Sequence, residues 1–304
     1  MMKEVFIAYF DLLGFKEFIE NNSESEISER LNHIYIELEL ALSHKNLSMN
    51  VSGKAVKPDV SKSIINCINI SDTIIYWTND LEIESFNYLL ITSFLLNNSL
   101  NLNEFPVRGC IHKGVVNFIN GGMLSKNQTI YASLCLYGKG VVDAHNRAES
   151  QEWAGTVLDN SIIETLDKSH GTLNSILDPW CIKYRIPYKK NSPFAHQKKD
   201  VDEYALRLFD CKYSDLHNIS QIEKDISTVF SKDNKRISAQ SVQDKIKNTT
   251  KFAHFLSSSC PPKKKLHYKS CEKKCFIFLV LFLLIVTWLV YSINLKKCSM
   301  SDIK

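Results

Sequence analysis

Residues 5–10, Val-Phe-Ile-Ala-Tyr-Phe, are apolar at both alternations, the pattern of a strand covered on both faces of a sheet. The run ends at Asp11, and Leu12-Leu13-Gly14-Phe15 follows at once, opening a short helix over residues 14–20. Across residues 25–44 the apolar positions Ile27, Leu31, Ile34, Tyr35, Leu38 and Leu42 recur at helical spacing, which predicts a long amphipathic helix with Ser25 as its N-cap. Residues 46–62 are polar, carry Gly53 and Pro58, and read as a surface loop. Two further apolar runs, 64–70 and 73–77, flank a lone Asp72 and predict a hairpin with Asp72 at its turn.

Residues 84–100 read as another helix. Residues 107–112 and 115–118 read as a second hairpin turning at Lys113-Gly114, and residues 138–151 as a helix entered through a glycine. Strands are expected near 182–186 and 204–209. This order predicts an α+β fold, a ferredoxin-like sandwich with helices covering one face of a largely antiparallel sheet. Amphipathic helices over 215–230 and 238–256 are expected to pack on the body or support a dimer.

Beyond Pro261-Pro262 the character changes, because residues 275–293 form an unbroken apolar run long enough to span a bilayer as one transmembrane helix. Trp288 and Tyr291 sit near one end. Six lysines precede the run and two follow it closely, which places the large N-terminal part in the cytoplasm, beneath the inner membrane. Cys271 and Cys275 flank the membrane entry and read as ordinary thiols, with palmitoylation as the alternative. The expected division is a catalytic domain over 1–210, a helical extension over 211–258, a basic juxtamembrane linker over 259–274, the span over 275–293 and a short tail over 294–304.

With 304 residues and 44% hydrophobic content, the chain supports one sizeable core and a smaller appendage. The formal charge of +4 comes from the lysine-rich C-terminal part, so the body is close to neutral and no nucleic-acid partner is expected. Nine cysteines without CxxC pairs, and no signal peptide ahead of the first strand, suit a reducing cytosol.

Two carboxylates at the ends of buried strands, Asp11 and Asp72, make a candidate site for Mg²⁺ or Mn²⁺. Such ions are commonly held by one or two carboxylates, with water and nucleotide phosphates filling the other positions. Taken singly, Asp11 also suits a helix N-cap and Asp72 a hairpin turn. Arg108 reads as a strand-end arginine and His112 as a satisfied polar group. His145 and Asn146 read as solvent-facing, Trp153 and Gly155 as packing and turn residues.

Four blocks together carry a resemblance: Phe10-Asp11-Leu12-Leu13-Gly14-Phe15, Ser71-Asp72, residues 108–116 (RGCIHKGVV) and residues 140–149 (GVVDAHNRAE). In this order, over roughly residues 4–160, the chain resembles the catalytic domain of class III nucleotidyl cyclases. The resemblance implies two divalent ions per site, Mn²⁺ or Mg²⁺, bound by Asp11 and Asp72 with the Leu12 carbonyl as a further ligand. It implies nucleotide contacts at Phe10, Leu12, Gly14, Phe15, Ile68, Asn69 and Tyr137. Arg147 matches the family's transition-state arginine. Asp143 falls where the family orients the ribose with an asparagine, and an ionised acid there cannot donate a hydrogen bond. The implied assembly is a homodimer with composite sites, metal aspartates from one subunit and arginine from the other.

The purine-reading lysine and acid of adenylate cyclases are replaced by Ile68 and, approximately, Leu136. The shortened and altered form of the domain resembles the pyrimidine cyclases of bacterial Pycsar antiphage systems, which implies UTP as substrate and cyclic UMP as second messenger. The rival expectations are a cyclase for CTP or a purine triphosphate, and a non-catalytic cyclase-like domain that binds nucleotide or protein at the membrane. A third rival makes the lone span a membrane-disrupting effector joined to its own cyclase.

Overall fold

The computed structural model describes residues 3–49, 56–124, 130–170, 173–197, 200–210 and 219–260. The chain begins with β1 (Lys3–Leu12), α1 (Phe15–Asn21) and α2 (Glu24–Leu42), then β2 (Leu47–Met49) and β3 (Val56–Pro58), which pair as a small separate sheet. After a 3₁₀ turn (Val60–Lys62) come the hairpin β4 (Asn66–Ile70) and β5 (Thr73–Trp77), α3 (Ile83–Asn103), β6 (Val107–Leu124), β7 (Ile130–Tyr137) and α4 (Lys139–Glu149). Next are β8 (Thr156–Leu158), α5 (Asn160–His170), α6 (Leu173–Leu177), β9 (Cys181–Tyr184), α7 (Pro193–Gln197) and β10 (Glu203–Leu206). The last described elements are α8 (Ile219–Ser231) and α9 (Gln240–Ser259). The residues through Cys260 form one compact unit.

The main sheet runs β4-β5-β1-β6-β8-β10-β9, with β7 paired to β6. Its pairs are antiparallel except β6 with β8, which are parallel. The fold is therefore α+β with a mixed sheet. Alternation along β1 sorts the core: Phe6, Ala8, Phe10 and Leu12 pack with α2, α3, α5 and α6, whereas Val5, Ile7 and Tyr9 pack with α4, α8 and α9. Helices thus cover both faces, not one as the sequence pattern suggested. A central strand that is apolar at every position requires this, since a bare face would leave Ile7 and Tyr9 in water.

Two local expectations also change. The long helix α2 starts at Glu24, capped by Ser23 rather than Ser25: the Ser23 hydroxyl accepts from the Glu26 amide, and the Glu26 carboxylate accepts from the Ser23 amide, a reciprocal capping box. The hairpin expected at Lys113-Gly114 is absent, because β6 continues through both residues, pairs Gly114 with Val5, and runs on to Leu124. Gly114 serves a different purpose. A Cβ there would lie 2.5 Å from the Gly140 Cα, so the glycine pair lets α4 settle directly on the sheet. The stretch 46–62, expected to be a loop, carries the paired strands β2 and β3, and β7, β8, α5, α6 and α7 were not anticipated; β2, β3 and β8 have three residues each, too few for a periodic signal.

Among the described residues no helix is long and apolar enough to cross a membrane. The apolar run at 275–293 lies outside the described residues.

Gly114→Ala is expected to cost about 3 kcal/mol, the upper end of overpacking penalties, because the clash is with backbone that cannot rotate away. Urea unfolding measures it, and wild-type stability would show that α4 has room to shift.

Candidate active site

The sheet delivers Asp11 and Asp72 to one place. Asp11 is the penultimate residue of β1 and pairs across with Thr73 on one side and Arg108 on the other. Asp72 occupies the two-residue turn between β4 and β5, entered through Ser71 in the left-handed region at φ 57°. The turn is fixed to β1 by a hydrogen bond from the Leu12 amide to the Asp72 carbonyl, 2.8 Å. Both aspartates line a cavity of about 400 Å³, together with Leu12, Gly14 and Phe15.

The Asp11 carboxylate accepts from Arg108 Nε and Nη2, both at 2.8 Å, and Arg108 Nη1 donates to the Glu149 carbonyl at the end of α4. A guanidinium at that helix end is favoured by the dipole. Burial pushes the Asp11 carboxyl above its ordinary value, and the Arg108 charge opposes this. A carboxylate drawn partly out of water next to a second acid is a good cation ligand. Among the described residues no cluster of three or more His, Cys, Asp or Glu side chains is suited to a metal. Two carboxylates and phosphate oxygens are nevertheless a sufficient donor set for Mg²⁺ or Mn²⁺, so the residues present fit the expected ions.

The same wall is strongly basic. Lys16, Arg108, Lys189, Lys235, Arg236 and Lys245 line the cavity against three carboxylates, Asp11, Glu17 and Asp72. Three of these cations, Lys235, Arg236 and Lys245, come from the α8–α9 hairpin, which the sequence reading did not connect with the site. Two short-sided amphipathic helices separated by Lys232-Asp233-Asn234-Lys235-Arg236 carry no local sign of where their loop will dock.

The remaining expected site residues are distributed elsewhere. Phe10 is fully buried, edge to face with Tyr76, and does not reach the cavity. Ile68 and Leu136 do meet, in a small cavity of about 180 Å³ with Ile70, Thr73, Ile75 and Cys135. Asn69 donates to the Thr73 carbonyl (3.1 Å) within the hairpin, and Tyr137 is exposed. His145 is not simply solvent-facing: its Nδ1 lies 2.9 Å from the Tyr9 hydroxyl.

Arg147 and Asp143 line a separate cavity of about 630 Å³ with His112, Asp159 and Phe194. Arg147 is 2% exposed, paired through Nη2 with buried Glu203, and lies over the rings of Phe194 and Tyr188 at 4.1 and 4.9 Å. The Tyr188 hydroxyl donates to the same glutamate at 2.6 Å. Among the described residues Arg147 Nε and Nη1 have no hydrogen-bond partner. His112 lies 3.2 Å from Asp159 and 3.9 Å from Asp143, a satisfied polar group as expected. Burial works to raise the Asp159 carboxyl, but hydrogen bonds from His112 and Ser161 outweigh it and hold the group well below the usual carboxylate range. Lys189 lines both cavities.

No family model matches the chain, and no curated protein matches it. Solved structures similar to it are nucleotidyl cyclase catalytic domains. One is the guanylate cyclase domain of RhGC from Catenaria anguillulae, in complex with GTP (11% identity, 67% of this chain and 96% of that one, TM-score 0.43). Another is the adenylyl cyclase CyaB from P. aeruginosa (12% identity, 68% and 95%, TM-score 0.41). A bacterial light-regulated adenylyl cyclase is matched at 13% identity over 75% of this chain and 58% of that one, TM-score 0.40. Likenesses this distant carry no weight for the reaction. What the site does has to follow from its own residues.

Arg147→Ala is expected to destabilise the fold by about 3–5 kcal/mol, since the buried Glu203 carboxylate would lose its guanidinium. A cost below about 1 kcal/mol in urea unfolding would show that Glu203 does not need this guanidinium as its counter-charge.

Proposed function

We propose that this protein is a metal-dependent nucleotidyl cyclase, converting a nucleoside triphosphate to its 3′,5′-cyclic monophosphate with release of pyrophosphate. The observation that carries the reading is the single cavity in which Asp11 and Asp72 face six cationic side chains. Paired acids alone would suit any cation; a basic wall beside them suits a cation that arrives with a polyanion. In this reading Asp11 and Asp72 hold two Mn²⁺ or Mg²⁺ ions, with the Leu12 carbonyl as a further ligand. Such ions, when bound, acidify the ribose 3′-hydroxyl and neutralise the triphosphate. Arg108, already within reach of Asp11, supplies a fixed positive charge where phosphoryl oxygens gain charge in the transition state.

The base is proposed to be uracil. The cavity walled by Ile68 and Leu136 is small and apolar, without the charged pair that would read adenine, and the shortened and altered form of the domain resembles the pyrimidine cyclases of antiphage signalling. The assembly is proposed to be a homodimer, in which the Arg147 cavity of one subunit completes the Asp11 cavity of its partner. Support comes from Arg147 Nη1, which has no hydrogen-bond partner among the described residues, while Nε faces the Asp159 carboxylate at 3.8 Å.

Incubating the full chain with ATP, GTP, CTP or UTP and Mn²⁺, then identifying products by mass, is expected to yield cyclic UMP. Asp11→Ala and Asp72→Ala are expected to lose turnover by roughly 10²-fold or more while remaining folded. Products from none of the four nucleotides would favour the non-catalytic, nucleotide-binding alternative. Normal turnover in either variant would remove the two-ion assignment.

We further propose that residues 275–293 anchor the protein in the cytoplasmic membrane with the catalytic unit inside. The support is the apolar run and its lysine flanks. Full-length protein is expected in the membrane pellet after high-salt washing, and a chain ending at Ser259 in the supernatant with its activity retained. Recovery of the full-length chain in the supernatant would overturn the anchor.

A further inference from the structure

The α8–α9 hairpin is docked on the catalytic body more firmly than a spacer needs. On α9, Phe252 packs against Trp153 and Tyr184 at 4.7 Å each. Thr249 accepts from the Ala154 amide (2.8 Å), and Asn248 donates to the Glu152 carbonyl (2.8 Å). The connecting loop is held separately. Asp233 and Asn234 adopt left-handed backbone, at φ 63° and 55°, a conformation that Asp and Asn tolerate better than most residues. Arg30 on α2 donates to the Asp233 carboxylate (2.9 Å) and also grips Glu104, while Asn22 donates to the Asp233 carbonyl (2.8 Å).

The consequence is the placement of Lys235. Its side chain is 4% exposed and lies over the Phe105 ring, with Nζ 3.6 Å from the centroid. Among the described residues Nζ has no hydrogen-bond partner. The nearest carboxylate, Asp233, is 3.7 Å away and already bound by Arg30. Burial pulls the Lys235 pKa down to about 8. A buried ammonium without a hydrogen-bonded acceptor is costly unless an anion completes it, and Lys235 lines the cavity that holds Asp11 and Asp72. Lys245, one turn and a half into α9, lines the same cavity; its pKa is lowered by burial and then by the charge of Arg108. Lys245 Nζ donates to the Ser241 carbonyl (3.0 Å), and the hairpin thus places two lysines in the lining of the cavity that holds the aspartates.

We propose, on the reading of this cavity as a triphosphate site, that the C-terminal hairpin is part of the catalytic site, with Lys235 and Lys245 binding the terminal phosphates of the nucleotide. They hold the leaving pyrophosphate while Asp11 and Asp72 act at the α-phosphorus. Both are binding residues and take no part in proton transfer. The chain after residue 210 is on this account an element of substrate recognition, not only a connection to the apolar run.

The test uses the full chain and inorganic tripolyphosphate with Mg²⁺, a probe that has the phosphates but neither ribose nor base. Lys235→Met keeps the stem on Phe105 and removes the charge; Lys245→Met does the same on α9, where no buried ring depends on it. Each is expected to weaken tripolyphosphate binding by about tenfold or more in calorimetry, with orthophosphate binding changed less than twofold, as loss of one charge-assisted contact predicts. Lys235→Arg should restore most of the affinity. Should Lys235→Met fail to fold, Lys245→Met decides. Unchanged affinity in the folded variants overturns the proposal while leaving the cyclase reading to its own product assay. Lost affinity in a protein that makes no cyclic nucleotide supports the phosphate clamp and overturns the cyclase reading. A wild-type chain that does not bind tripolyphosphate overturns both.

Discussion

A strand buried on both faces can carry no charge along its buried run, and β1 meets this constraint from Val5 to Phe10. Its residues from Val5 to Phe10 are all buried, its edges are paired by β5 and β6, and its two rows of side chains nucleate the two halves of the core. Asp11 is the first acid after that buried run, partly exposed where the sheet opens. The neighbouring hairpin can then place a second acid only at its turn, which is where Asp72 lies. Site and core are thus two results of one pattern: the strand that organises the hydrophobic layers also sets the position of the carboxylate.

Electrostatics then decides what can occupy the cavity. Asp11 is compensated by Arg108, so without a ligand this acid is satisfied and its partner cation is held in register between β6 and the end of α4. The other cations are less well answered: Lys189 reaches Glu149 at 3.4 Å, and Lys235 reaches Asp233 only at 3.7 Å. A surplus of positive charge inside a concave, partly desolvated wall raises the local concentration of polyanions and is costly to keep empty. Metal ions bound alone would add to that surplus. Ions arriving with a polyphosphate would not.

Arg147 shows a different use of charge. Its guanidinium is enclosed by Glu203, Tyr188 and Phe194, a buried pair whose desolvation is offset by hydrogen bonds and ring faces. The pair joins α4 to β10, and Arg147 lines the larger cavity. Arg147 Nε also faces the Asp159 carboxylate at 3.8 Å, so the guanidinium is held from two sides and its geometry is rigid.

The alternation and spacing of apolar residues were enough to place β1, α2, the β4–β5 hairpin, α3, α4 and the two C-terminal helices, because each is defined by neighbours a few residues away. Asp11 and Asp72 were legible for the same reason: lone acids interrupting buried runs are visible locally. Lys113-Gly114 misled because a Lys-Gly pair reads as a turn, whereas Gly114 answers to a helix backbone that arrives 26 residues later, at Gly140. Three-residue β8 had no period to read. The tertiary structure alone decided that helices cover both faces, that Arg147 meets Glu203, and that a loop more than 200 residues after Gly14 brings Lys235 within 3.1 Å of where a Cβ of Gly14 would stand. Periodicity determines which face of an element is buried. Which distant side chain completes a charge or fills a cleft depends on how those faces close together, and no local pattern encodes that.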